Sequence, residues 1–313
     1  MPDTIVVMGS LNMDFVVSVE RLPAPGETML GENFQMLPGG KGANQACAAG
    51  KLASAGVVTK MIGRVGYDVF GDHLKASLSA AGVDVSAVHA TRSQPTGVAL
   101  IWVDRWGQNS IVVASGANHA IAASETEAMR SVFRGASYAL FQLESPVDAV
   151  ERAMALAREE GARTILDPAP ARVLSGEMLA NADILTPNET EASILLGQEP
   201  RRVSTEEAPQ LARRLRDRGP RAVVLKLGDQ GCLYLDESRE IYSPGFHVDA
   251  RDATAAGDIF NGALAAALME TASIEEALRF ANAAAAISVT RIGAQTSVPT
   301  RQEVADFLRS TQA

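Results

Sequence analysis

Residues 138–166, YALFQLESPVDAVERAMALAREEGARTIL, decide the fold. Tyr138 to Phe141 is a short apolar run of strand length, Pro146 to Glu160 reads as a helix ending before Gly161, and Thr164 to Leu166 is the next strand. The alternation continues with a strand at Asp183 to Leu185, a helix over about Thr205 to Arg218 and a strand at Ala222 to Leu227. Strands alternating with helices in this way predict a parallel sheet with helices on both faces. Upstream, Ile5 to Gly9 is a continuous apolar run ending in glycine, as expected of a strand buried on both faces.

The remaining β signals differ in kind. Phe15, Val17 and Val19 alternate with Val16, Ser18 and Glu20 before Pro23, Pro25 and Gly26 end the segment. Gly97 to Val103 and Ser110 to Ala114 flank a turn at Asp104 to Asn109 and read as a hairpin. Alanine-rich helices follow Gly257 and cover Ile274 to about Thr290, which suits close packing. The expectation is one α/β domain over 1–313, with a central, mostly parallel sheet flanked by helices on both faces. A small β lid is built from segments within about 12–40 and 95–115.

Composition narrows the function. With 313 residues, 47% apolar and 21% charged, the chain can bury a large core without staples. Its net charge of −9, from 28 basic and 37 acidic residues, argues against a nucleic-acid partner. The one basic cluster, Arg213 to Arg218, reads as the solvated face of a helix. Four histidines with no paired spacing argue against a histidine-rich metal site. Cys47 and Cys232 lie in apolar runs and read as buried free thiols, which implies a reducing compartment. Met1 to Thr4 carries no basic segment, Ile5 to Met8 is too short for a signal core, and no apolar stretch reaches the roughly 20 residues of a membrane span. A cytoplasmic protein without a membrane partner is expected.

Five segments carry chemistry. In Asp252-Ala-Thr-Ala-Ala-Gly-Asp258, small residues open a helix whose unpaired N–H groups favour an anion, and Asp258 stands beside them. Asp258 either accepts a hydroxyl proton while those amides hold charge on a transferring group, or caps its helix. Gly39-Gly-Lys41-Gly-Ala-Asn44 is neither a Walker loop nor a dinucleotide turn. Lys41 and Asn44 either donate to hydroxyl or phosphate oxygens, or the segment is a flexible turn. Asn12 and Asp14 follow the first strand, where they either bind sugar hydroxyls or form an Asx turn. Asn188 and Glu191 either orient magnesium-bound waters and phosphate oxygens or complement a helix dipole, the latter also being the reading for Glu189. Lys226 to Gly231 either passes under a nucleotide or is a tight hairpin into Cys232 to Leu235, and the two are compatible.

In order, GGKGANQA (39–46), FQLESP (141–146), DPAPAR (167–172), TPNETEA (186–192), AAGDIFNGAL (255–264) and TRIGAQTSVP (290–299) resemble the ribokinase-like carbohydrate kinases, from Ile5 to about Phe307. The resemblance implies an ATP- and magnesium-dependent kinase that phosphorylates the primary hydroxyl of D-ribose to give D-ribose 5-phosphate and ADP. It implies Asp258 as catalytic base with an anion hole from the backbone of Ala255, Ala256 and Gly257. Asn12, Met13, Asp14, Gly40, Lys41, Gly42, Ala43, Asn44, Glu144 and Asp258 would surround the sugar. Asn188, Lys226, Leu227, Gly228, Asp229, Gln230, Gly231, Gly257, Asp258 and Asn282 would meet ATP, and Glu191 would support magnesium through water. Asp252, Thr254, Ser288, Arg291, Gly293 and Ser297 match loops that hold potassium, largely through carbonyls. One departure falls there: Ala253 follows Asp252 where the family has threonine, and the threonine stands at 254. A homodimer joined through the lids is implied, with Trp102 and Trp106 on the hairpin either on that lid surface or packed in the core. Other small sugars (2-deoxyribose, a fructose-type sugar), a nucleoside, or a silent sugar-binding regulator are the alternatives. A dinucleotide-dependent dehydrogenase is disfavoured because Gly9-Ser-Leu-Asn12 is no GxGxxG turn.

Overall fold

A computed structural model describes residues 3–271 and 273–311; Met1 and Pro2, part of the N-terminal reading above, lie outside the described residues. The chain begins with β1 (Thr4–Met8), β2 (Asn12–Ser18), β3 (Glu32–Gly39) and α1 (Lys41–Leu52). It continues through β4 (Val58–Gly66), α2 (Val69–Ala80), β5 (Val83–Thr91), β6 (Gly97–Val103) and β7 (Asn109–Ala114). The second half runs α3 (Arg130–Phe133), β8 (Ala136–Phe141), α4 (Val147–Glu159), β9 (Arg163–Leu166), α5 (Gly176–Ala180), β10 (Ile184–Leu185), α6 (Glu189–Leu195) and α7 (Ala208–Arg216). It closes with β11 (Ala222–Lys226), β12 (Gly231–Leu235), β13 (Glu240–Pro244), α8 (Ala256–Leu268), α9 (Ile274–Val289) and α10 (Arg301–Ser310).

Nine strands form the large sheet in the order β13-β12-β11-β10-β9-β8-β1-β4-β5. All neighbours are parallel except β11 with β12 and β12 with β13. Successive side chains of a strand point to opposite faces, and here both faces are covered. Ile5 and Val7 of β1 enter a core with α1, α2, α8 and α9, while Val6 and Met8 enter a second core with α4, α6 and α7. The expected α/β fold with helices on both faces is what the chain adopts. Strand order reverses between β1 and β8, and the carboxyl ends flanking such a switch point form the crevice where ligands bind in open α/β sheets.

A second sheet has the order β3-β2-β6-β7. The hairpin is present as β6 and β7, antiparallel from Val98 opposite Ala114 to Val103 opposite Asn109. Strand β6 runs parallel to β2, and β3 covers the other edge of β2. Phe34, Met36, Leu100, Ile111 and Val112 leave much of this sheet's apolar surface exposed.

Several expectations need correction. The helix expected over Thr205 to Arg218 is shorter, Ala208–Arg216, because Pro209 lacks the N–H that a helix interior needs and stands in its first turn. Lys41, Gly42, Ala43 and Asn44 are not in a turn before a helix but form the first turn of α1. Asn12 and Asp14 stand on β2, which rules out the Asx turn. The Arg213–Arg218 cluster is only partly a solvated face, since Arg216 donates to the Asp236 carbonyl at 2.9 Å and Arg218 to the Leu195 carbonyl at 2.6 Å. Trp106 is 63% exposed with Arg105 over its ring, so it is no core residue. Cys47 and Cys232 are buried free thiols, as read.

Candidate active site

Five adjacent parallel strands deliver polar residues to one edge of the large sheet. Ser10 follows β1, Glu144 follows β8, Asp167 follows β9, Asn188 follows β10 and Lys226 ends β11. Across the switch point, Ser10 Oγ donates to Glu144 Oε2 at 2.5 Å, and the same oxygen accepts the Lys41 N–H at 3.2 Å. The glycines before Lys41 are required by geometry. Gly40 has φ 92°, open to glycine, and a Cβ on Gly39 would lie 2.0 Å from Asp14 Oδ2.

Asp258 stands at the third position of α8, yet it does not cap that helix. The cap residue is Ala255, in the left-handed region at φ 59° with no side-chain bond to the helix. The Asp258 carboxylate turns instead to α1, where Oδ2 accepts from Asn44 Nδ2 and Oδ1 from Gln45 Nε2, both at 3.1 Å. No side chain caps the first amides of α8; the Ala256 N–H donates to the Ala253 carbonyl at 3.3 Å, and the Gly257 amide is left for an anion. Burial pushes the Asp258 carboxyl up; Lys41 opposes the rise and Asp167 adds to it, leaving a pKa of about 6. Lys41 is held firmly charged, above all by Asp258. Asp14, half-buried and facing Glu144 and Asp258, is raised to about 7, mainly by desolvation.

On the other side, Asn188 and Glu191 form a reciprocal capping box, Asn188 Oδ1 accepting the Glu191 N–H and Glu191 Oε2 the Asn188 N–H, both at 2.8 Å. Both side chains therefore have a structural task at the start of α6, and burial raises the Glu191 carboxyl against the pull of Lys226. Glu189 accepts the Val203 N–H at 2.8 Å. The Lys226 N–H donates to the Pro187 carbonyl at 2.8 Å, which joins Asn188 to the Lys226–Gly231 segment. Leu227 is buried, Gly228 to Gln230 form one tight turn, and Gly231 opens β12, so the hairpin reading holds. Asn282 on α9 meets β13 beside that hairpin, its Nδ2 lying 3.0 Å from Ser243 Oγ and 3.1 Å from the Ser243 carbonyl, with Cys232 Sγ of β12 at 3.6 Å.

Asp252 draws two loops together: Oδ1 accepts the Thr254 N–H at 2.9 Å and Oδ2 the Gly293 N–H at 2.8 Å. Those bonds outweigh burial and keep its carboxyl below the usual range. The Ser288 and Ser297 hydroxyls bond back to the Ala285 and Ala294 carbonyls, and Arg291 pairs with Glu303 at 2.6 Å. None of these three side chains points a hydrogen bond at Asp252.

Three residues of this constellation escaped sequence reading. Asn118 fixes Asn12, its Nδ2 donating to Asn12 Oδ1 at 2.7 Å. Gln45 and Asp167 are buried and bonded to each other at 2.9 Å. Gln45 belongs to GGKGANQA and Asp167 to DPAPAR, so membership in those motifs was the available signal.

The description "pfkB family carbohydrate kinase" matches residues 2–301. The chain belongs to the pfkB family of carbohydrate kinases. Over 309 residues it is 43% identical to the ribokinase of Haemophilus influenzae, covering 98% of this chain and 99% of that one. Its fold matches the structure of Giardia lamblia ribokinase with TM-score 0.91 at 31% identity, over 99% of this chain and 100% of that one. It also matches Arabidopsis thaliana ribokinase complexed with ribose and ATP, with TM-score 0.87 at 34% identity, over 98% and 99% of the two chains. Among the described residues no helix is long and apolar enough to cross a membrane, and no three His, Cys, Asp or Glu side chains cluster as a metal site.

Proposed function

We propose that the chain is an ATP-dependent sugar kinase that phosphorylates the primary hydroxyl of D-ribose, yielding D-ribose 5-phosphate and ADP. The observation that carries this is the Asp258 carboxylate, buried in the first turn of a helix that no side chain caps and held by Asn44 and Gln45 with a pKa of about 6. At pH 7 such a group is mostly ionised and still a competent base. Asn12, Asp14, Gly40, Lys41, Asn44 and Glu144 bind the sugar, with Met13, Gly42 and Ala43 lining it. The hydroxyl oxygen attacks the γ-phosphorus, its proton passes to Asp258, and the bond from that phosphorus to the ADP oxygen breaks. Amides of Ala255, Ala256 and Gly257 hold the charge on the transferring group, so positioning and electrostatics do most of the catalysis.

ATP lies along Asn188, the 226–231 hairpin, Gly257 and Asn282. Glu191, whose Oε2 accepts the Asn188 N–H while Oε1 has no such bond among the described residues, would support magnesium through water, and the ion would supply charge neutralisation for the phosphates. The 252–254 and 288–297 loops, joined by Asp252, would hold potassium, with their carbonyls as the donors. Potassium raising the melting temperature above that in sodium supports this site, and equal melting in both ions removes it. We read 1–313 as one cytoplasmic domain whose small sheet, from 12–40 and 95–115, closes over the sugar to exclude water. Its exposed Phe34, Met36, Leu100 and Ile111 pair two lids in a homodimer; a monomer in sedimentation at micromolar concentration would sink that pairing.

The test is ADP release measured across ribose, 2-deoxyribose, fructose, hexoses and nucleosides, with and without potassium. The highest kcat/KM is expected for ribose. Preference for another acceptor overturns the substrate, and absence of ATP turnover despite tight sugar binding identifies a silent regulator instead.

A further inference from the structure

We infer that Asp167 is a positioning residue for this reaction, one buried carboxylate holding both Gln45, which grips Asp258, and Lys226, which stands beside the α8 amides. The inference rests on the proposed kinase reading and deepens it. Asp167 is 2% exposed and is fixed by its own N–H, which donates to the Phe141 carbonyl at 2.9 Å. Its Oδ2 accepts from Gln45 Nε2 at 2.9 Å and its Oδ1 from Lys226 Nζ at 3.1 Å.

The orientation of Gln45 makes the bridge specific. Gln142 Nε2 donates to Gln45 Oε1 at 2.6 Å, which leaves the Gln45 amide nitrogen facing the two acids. That nitrogen has two hydrogens and meets two acceptors, Asp167 Oδ2 at 2.9 Å and Asp258 Oδ1 at 3.1 Å. Each hydrogen is thereby used, and Asp258 cannot rotate without breaking a bond that Asp167 and Gln142 hold in place.

Lys226 is the second arm. A Cβ built on Gly257 would lie 3.3 Å from Lys226 Nζ, so the ammonium borders the cradle where the anion binds. Asp167 keeps that ammonium from pairing with Asp258, which would neutralise the base. The charged groups acting on Asp258 come from four elements: Asp14 on β2, Lys41 on α1, Asp167 after β9 and Lys226 on β11. Asp167 raises the Asp258 pKa, whereas the Gln45 hydrogen bond lowers it.

The experiment is the pH dependence of kcat for the full-length wild type, D167N and Q45M, with sugar KM and thermal melting recorded alongside. Both variants are expected to lose about tenfold or more in kcat, because a displaced group costs rate out of proportion to its movement. Sugar KM is expected to stay within about threefold, the mark of an interaction made chiefly in the transition state. The acid limb is expected to move to lower pH in D167N and to higher pH in Q45M. Opposite shifts cannot come from general loosening of the site. A D167N enzyme with the wild-type kcat and limb overturns the role of Asp167. Should D167N fail to fold, Q45M decides alone: an upward limb with lowered kcat supports the bridge, and an unmoved profile refutes it. A wild type that phosphorylates no sugar refutes the underlying kinase reading, which is a separate outcome.

Discussion

Helices α6 and α8 each carry an acid at the third position, Glu191 and Asp258, and use it in opposite ways. In α6 the preceding Asn188 caps the helix while Glu191 reaches back to the Asn188 N–H, so two open amides are closed within the chain. In α8 the cap position is Ala255, whose methyl group accepts nothing, and Asp258 turns across to Asn44 and Gln45 on α1. Both starts line the same crevice. One is finished as a helix terminus; the other has no side-chain cap and turns its carboxylate away to α1. An acid in a first helical turn therefore says little about function until the cap before it is known.

The largest effect that tests this contrast is at the open end. D258N is expected to bind ribose in calorimetry about as well as the wild type and to lose turnover by roughly a hundredfold or more, the low end for removing a general base. Near-normal turnover would remove Asp258 from the role of base. Next comes the stability that a desolvated carboxylate removes. Asp14 has a folded pKa of about 7, above its ordinary value of 3.8, so the stability linked to its proton is full below about pH 4 and lost as pH rises through 7. D14N is thus expected to melt at higher temperature than the wild type at pH 8, by more than about 1 kcal/mol in stability since one pKa unit corresponds to about 1.4 kcal/mol. The gap should close toward pH 4 while sugar affinity falls; a variant that melts lower at pH 8 contradicts the reading. The smallest effect belongs to the closed end. N188A is expected to lose about 1 kcal/mol in urea unfolding, the usual loss for a cap, and no loss would show that the capping box contributes little.

The same distinction between local and tertiary information decides what could be read from the sequence. Strand β1 and the alternation from β8 to β11 were legible because each buries its residues in a pattern carried by its own few positions, and the hairpin β6–β7, largely exposed, because its β-branched runs flank a Gly/Asn/Asp turn. Strand β3, with Glu32 to Met36 all exposed, offers no buried face to detect. Strand β4 mixes Lys60 and Arg64 into its run, and α2 buries only Gly71, Leu74 and Leu78, so the β4–α2–β5 arm went unread. Asp258, Lys41, Asn44, Glu144 and Asn188 were named from motifs, and the fold brings them to one edge of the large sheet. Their arrangement was not legible: Asp258 could have been a cap, and only the fold, which brings Gln45 against it from 213 positions away, decides otherwise. Asp167 precedes a proline and reads locally as the end of a strand. Its contacts to Gln45 and Lys226 lie 122 and 59 positions away, beyond any local pattern.

The most direct measurement is the rate of phosphoryl transfer to ribose in a single turnover, followed from pH 5 to pH 9 in the wild type and in D258N. The wild-type rate is expected to rise with pH and level off, with a midpoint near the Asp258 pKa of about 6. In D258N the residual rate should lack that limb. A D258N enzyme that keeps both the limb and most of the rate would mean that the proton leaves the sugar by another route.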